Sequence, residues 1–323
     1  MTGIVTREGL KIIKPRTEKT WLKMREPNIN STESPALFGL SPYLTAYELY
    51  HIKTGSIDDG FVANSRTKAG KHMEAAIANY ALSELQCEGK PMKQYYCDPV
   101  DHMGSSMDWE LTSGLLKDWI MEVKNVDFLV YRDTWNDSTT PEAPQHIELQ
   151  VQHQLELTGR PGCVIVAMVA GNELKFIYRE RNAAIGADIR NAIGNFWKSV
   201  ASGFEPAPDY KIDSDVIIRI HQHSGYETLD AKDSVLMTAL LEEYYDLSKA
   251  FKEAETARVE KKAEILDAVG DTYLRVEAME GFTLSCAMTK STVGAKITPD
   301  MVGQMRGGRA SYRYFQVNKK KDS

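Results

Sequence analysis

The chain has 323 residues, 42% hydrophobic and 26% charged, with a formal net charge of −6. That composition fits an ordinary soluble globular protein with room for one large domain and a smaller one. It argues against a protein that coats nucleic acid indiscriminately.

No apolar run approaches the ~18 residues of a membrane span. The opening MTGIVTREGLKIIKPR lacks the apolar region of a secretory signal. Cys87, Cys97, Cys163 and Cys286 have no CxxC spacing, so they read as reduced thiols of a cytoplasmic protein rather than a metal knuckle or a disulfide framework. Basic residues crowd the first part of the chain: Arg7, Lys11, Lys14, Arg16, Lys19, Lys23 and Arg25 stand against Glu8 and Glu18. Such a run is a solvated face unless the rest of the chain points to phosphate.

In chain order, AGKHMEAAIANYALSEL (69–85) reads as a helix. Met73, Ile77, Tyr80 and Glu84 run down one side. Glu74 shares a row with Ala78, Ala81 and Leu85, a small apolar row that should face protein. GSSMDWELTSG and WIMEVKNV read as strands joined by a turn at Thr112-Ser113-Gly114. HIELQVQHQLEL (146–157) reads as a helix, with Ile147, Val151 and Leu155 four apart. CVIVAMVA and ELKFIYRE flank Gly171-Asn172 and read as a β-hairpin. GFEPAPDY (203–210) marks a boundary, which gives a first domain over 1–205 and an extension over 211–323. The stretch 231–269 contains no Gly or Pro. Met237, Leu240, Tyr244, Leu247, Phe251 and Ala254 alternate by three and four, the seam of a coiled coil or helical arm, until Arg258 and Lys261 fall on it. Short strand candidates follow at 273–279, 282–289 and 311–317.

The chemistry concentrates in MEVKNV. Side chains of a strand alternate faces, so Ile120, Glu122, Lys124 and Val126 share one and Met121 and Val123 the other. Glu122 and Lys124 are then neighbours roughly 7 Å apart. Alone they are an exposed ion pair. A hairpin with SSMDWEL brings Asp108 near Glu122. Two carboxylates at short range call for a cation between them, and hard oxygen ligands suit Mg²⁺. A lysine beside them can orient a water or stabilise charge on a phosphate.

With these residues in place, the chain resembles the YqaJ-like viral recombinase family, which includes lambda-type phage exonucleases, within the PD-(D/E)xK nuclease superfamily. Five stretches carry the resemblance in order: WLKMREPNINSTES, the GLSPY loop, GKHMEAAI, the SSMDWEL/MEVKNV pair and ELQVQHQLELTG. Met107 stands where the superfamily's name has proline, and Ile147 where an aromatic is expected.

The resemblance implies an α/β fold: a restriction-endonuclease-like core, with a mixed central sheet flanked by helices, plus a C-terminal extension of helix and short strands. It implies a 5′→3′ exonuclease acting on double-stranded DNA ends for recombination. Asp108, Glu122, Glu74 and the Val123 backbone carbonyl would bind Mg²⁺, with Mn²⁺ tolerated. Lys124 would be the catalytic lysine, and Gln150 would line the site. Arg25 and Thr32 would grip the 5′-phosphate. A homotrimeric ring and a single-strand annealing partner would follow, with no membrane involved. A site-specific endonuclease and a non-catalytic DNA-binding scaffold are the alternatives.

Overall fold

A computed structural model describes residues 9–58, 64–135, 141–221 and 227–289, and the backbone of Gln316–Lys319. The chain divides into two units, Met1–Gly225 and Tyr226–Ser323.

The first unit runs β1 (Lys11–Ile13), α1 (Glu18–Arg25), β2 (Ile29–Asn30), a 3-10 helix (Ser34–Phe38), α2 (Ala46–Lys53), α3 (Ser65–Glu84), β3 (Gly89–Pro91), β4 (Tyr95–Asp98) and β5 (Met103–Ser105). It continues with β6 (Trp109–Leu111), β7 (Ile120–Val126), α4 (Phe128–Thr134), α5 (Gln145–Thr158), β8 (Gly162–Val169), β9 (Glu173–Glu180), α6 (Ala183–Ser202) and α7 (Ser214–Ile220).

The main sheet has the order β3-β6-β7-β8-β9, with β7 and β8 parallel and the other neighbours antiparallel. Parallel β7 and β8 need a crossover, which α4 and α5 supply. The alternation read from MEVKNV is what the sheet uses. Ile120 and Val126 join Cys163, Ile165 and Ala167 in a cluster with Val151 and Leu155 of α5 and Ile189 and Ile193 of α6. Met121 joins Val164 and Val166 against Ile77, Ala78 and Ala81 of α3. Helices thus cover both faces of a mixed sheet. On α3 the buried row is Ile77, Ala78 and Ala81, whereas Tyr80, expected beside Ile77, is about half exposed.

A second sheet has the order β1-β4-β5-β2, with β2 parallel to β5. SSMDWEL is therefore not one continuous strand. Ser105 ends β5 in the second sheet and Trp109 begins β6 in the main sheet, so Ser106, Met107 and Asp108 carry the chain from one to the other. Beyond GFEPAPDY, α7 is tied to α2 and its cap. Thr45 Oγ1 donates to Asp213 Oδ1 at 2.6 Å, and Arg219 pairs with Glu48.

The second unit holds α8 (Val235–Val269), β10 (Arg275–Glu277), β11 (Phe282–Ser285) and β12 (Gln316–Lys319), the three strands forming one antiparallel sheet. Ser234 caps α8 by accepting from the Met237 N–H at 3.2 Å. Gly270 ends the helix at positive φ. Of the strand candidates there, 273–279 contains β10 and 282–289 contains β11, while residues 311–315 lie outside the described residues. Among the described residues no helix is long and apolar enough to cross a membrane.

Candidate active site on the β6–β7 hairpin

Antiparallel pairing sets Trp109 opposite Met121 and Glu110 opposite Ile120. One step further in that register, Asp108 faces Glu122. The β6 ladder has ended there, so the Val123 N–H donates to the Asp108 carboxylate, Oδ2, at 2.9 Å. The nearby acid Glu110 is occupied elsewhere, 2.7 Å from Arg160. Burial pushes its carboxyl up, but Arg160 and Lys90 outweigh that and hold it below the ordinary range.

Glu122 is almost fully buried, and three donors hold it. Lys124 Nζ donates to Oε1 at 2.7 Å, Gln150 Nε2 to the same oxygen at 2.6 Å, and Gln154 Nε2 to Oε2 at 2.8 Å. Lys124 also donates to Gln150 Oε1 at 3.2 Å. A buried carboxylate is tolerable only with such charge-assisted bonds. Gln150 and Gln154 lie one helical turn apart on α5, so a single face of that helix grips the strand acid.

Gln154 was not singled out from sequence. Its signal was present: it is the i+4 partner of Gln150, and both precede the glycine that caps α5. Gln152 between them faces elsewhere, donating to the Glu180 carbonyl and accepting from the Asn182 N–H.

The carboxylates repel one another. Removal from water pushes Asp108 well above the ordinary carboxylate range. Glu122 adds to the rise and Glu74 adds a little more, against the pull of Lys124 and the Val123 N–H. Glu74 on α3 is raised by burial and then by Glu122. Burial pulls Lys124 down, but Glu122 and Asp108 more than reverse this, so it stays a cation. His146, which opens α5, is lowered by burial and by Lys124, and the Tyr43 ring meets it edge-on at 5.7 Å.

Among the described residues no group of three or more His, Cys, Asp or Glu side chains forms a ready-made metal cage. The donors that converge are hard oxygens under mutual repulsion. Asp108 and Glu122, with Glu74 in electrostatic range, are the chemistry a hard divalent cation relieves.

The other expected pair also comes together. Arg25 closes α1, stacks on the Trp21 ring 4.6 Å away and donates to Thr32 Oγ1 at 3.3 Å. Glu33 lies 3.6 Å from the same guanidinium, and Lys53 Nζ at 2.9 Å offsets its charge. The cluster is pinned to the segment carrying Asp108. Trp21 Nε1 donates to Ser106 Oγ at 3.0 Å, and Ser31 Oγ lies 2.8 Å from Ser105 Oγ.

The sequence model of the YqaJ-like viral recombinase domain matches residues 20–161. No curated protein matches the chain. Among solved structures, an alkaline exonuclease from Laribacter hongkongensis is 15% identical, with a TM-score of 0.49, over 62% of this chain and 100% of its own. A phage-related exonuclease from Haemophilus somnus is 10% identical, with a TM-score of 0.39, over 55% of this chain and 96% of its own. That match takes in most of α1, Arg25, Thr32, α3, the β6–β7 hairpin and α5, so the segment that carries the candidate site is the one similar to the YqaJ-like viral recombinase domain.

Proposed function

We propose that this chain is a divalent-metal-dependent nuclease, specifically a 5′→3′ exonuclease that digests one strand of linear duplex DNA and leaves 3′ single strands for recombination. The similarity of residues 20–161 to the YqaJ-like viral recombinase domain supports a DNA-acting, nuclease-like role. The observation that supports the chemistry is the hairpin register that sets Asp108 against Glu122 with Lys124 beside them. On this reading the main sheet and its helices are a PD-(D/E)xK core.

Asp108, Glu122, the Val123 carbonyl and Glu74 would hold Mg²⁺, with Mn²⁺ as a substitute. When bound, the cation would lower the pKa of a water and stabilise charge on the scissile phosphate. The chain's own residues do the rest. Gln150 and Gln154 fix the Glu122 carboxylate so that it cannot swing away from Asp108. Lys124 keeps one proton-rich face toward Glu122 and Gln150 and can turn another toward a nucleophilic water or a phosphate oxygen. Arg25, held flat by Trp21 and steadied by Thr32, would accept a terminal phosphate through a bidentate fork. A trimeric ring and an annealing partner belong to the same reading.

The test uses end-labelled linear duplex with and without a 5′-phosphate, beside closed circular DNA, in Mg²⁺. Linear DNA should be shortened from its 5′ ends and circles left intact. Lys124→Ala should remove nearly all cleavage. Arg25→Ala should slow phosphorylated ends roughly ten- to hundredfold, the value of a charge-assisted contact of about 1.5–3 kcal/mol, and barely change hydroxyl ends. Cutting of closed circles would replace the exonuclease reading with an endonuclease. Wild-type rates in Lys124→Ala would remove the site.

A further inference from the structure

The nuclease reading uses nothing in α8, yet α8 is the longest element of the chain. It spans 35 residues and buries none of them. Thirty-five residues make a rod of ~52 Å. A rod with one apolar stripe is unusual without a cover. Leu240, Tyr244, Leu247 and Phe251 lie on the seam, each exposed by half to three quarters, and Leu236 and Leu241 widen it. The stripe amounts to on the order of 800 Å², about what each partner gives up in a standard stable interface.

The arrangement of the seam identifies its cover. Six apolar positions, Met237, Leu240, Tyr244, Leu247, Phe251 and Ala254, are spaced 3-4-3-4-3. That spacing reads the same in both directions about a point between Tyr245 and Asp246. Turned end for end on a copy of itself, the helix sets Met237 against Ala254, Leu240 against Phe251 and Tyr244 against Leu247, each pair occurring twice. Self-complementarity of this kind is what a two-fold interface requires. The flanking residues fit it: Leu236 falls beside Ala257, Leu241 beside Ser248 and Glu243 beside Ala250, with no like charges opposed.

Charge then decides the direction. Arg258 and Lys261 continue the seam beyond Ala254. In a parallel, in-register pair each would meet its own copy, like charge on like charge. In the antiparallel pair the same register carries them onto the segment that leads into the partner's helix. Arg258 and Lys261 come alongside the non-helical approach to the partner's helix, which carries Asp230 and Asp233, both exposed in this structure. The two cations that interrupt the apolar pattern are the groups that would lock this register.

We propose that α8 pairs antiparallel with α8 of a second copy of this chain, about a dyad between Tyr245 and Asp246. The pairing is independent of the nuclease reading, since every residue assigned to cleavage lies in the first unit. Sedimentation equilibrium of the full chain over a range of concentrations tests it. Wild type should reach a larger assembly than the seam variant Leu240→Gln/Leu247→Gln/Phe251→Gln, in which the step due to α8 pairing should weaken at least about tenfold. Glutamine is a good helix former and the three residues are exposed, so helix content should survive in far-ultraviolet circular dichroism. Arg258→Glu/Lys261→Glu should weaken association as well, and adding Asp230→Lys/Asp233→Lys should restore it. Association identical in wild type and the seam variant overturns the proposal, as does a wild type that stays monomeric. Charge reversal without rescue overturns the antiparallel register.

Discussion

Removal from water and the nearness of Glu122 and Glu74 hold the Asp108 carboxyl well above its ordinary range, and this has a measurable consequence for stability. The folded chain binds the Asp108 proton more tightly than the unfolded chain, where an aspartate titrates near ~4. Between that value and the raised one the folded state carries more protons. Stability therefore falls as pH rises through the window. Asp108→Asn keeps an oxygen to accept from the Val123 N–H and deletes the charge. In chelator-treated buffer the variant should melt above wild type at neutral pH, and the gap should close as the pH is lowered toward 4. Mg²⁺ should reverse the order by stabilising wild type alone. Melting curves from pH 4 to 8, with and without Mg²⁺, check both halves. A gap that does not vary with pH would mean that Asp108 feels none of the repulsion described.

At the scale of elements, the second sheet is the support on which both clusters rest, and Gly104 is its junction. It pairs with Asn30 of β2 and Cys97 of β4, and its carbonyl accepts from the Ser31 N–H and from His153 Nε2, each at 3.1 Å. His153 stays neutral there, pulled down to about 3 by burial. A Cβ on Gly104 would run into the Tyr95 hydroxyl and lie 2.8 Å from its ring carbon Cζ. That ring is fully buried and bonded to Asn30 Oδ1 at 2.8 Å. Gly104→Ala should cost about 1–3 kcal/mol in urea denaturation, and Tyr95→Leu in the same chain should recover part of it. Unchanged stability in Gly104→Ala would mean the ring has room to move aside. None of this support is readable from sequence. Its strands have two to four residues, too few to display a period of two, and β4 is buried on both faces. The main sheet is the opposite case. IMEVKNV alternates over seven residues, α3 and α5 show a 3.6 period, and Gly171 stands at positive φ in the turn joining β8 to β9. Glu122 and Lys124 can be placed together because that alternation fixes their face; Asp108 follows from the hairpin, and Gln150 comes only with the family resemblance. The break after Ser105 cannot be placed, because nothing local marks where a chain changes sheets.

At the scale of the molecule, the two units draw their stability from different sources. Both apolar clusters on the faces of the main sheet lie in Met1–Gly225. In the second unit only Leu284 and Cys286 are buried apolar residues among those described, and α8 buries nothing. A helix without tertiary packing is marginal in water. If a second copy supplies the packing, the stability of α8 depends on protein concentration through mass action. Heating followed by far-ultraviolet circular dichroism should then show two transitions. The first unit's should rise with Mg²⁺ and be the same in wild type and in the seam variant. The other should climb as the protein is concentrated, and Leu240→Gln/Leu247→Gln/Phe251→Gln should lower it while leaving the first in place. The seam variant should also cleave DNA at the wild-type rate per chain, since Asp108, Glu122 and Lys124 are untouched. One transition at a single temperature, the same at every concentration and in both proteins, would show that α8 is stabilised from within its own chain.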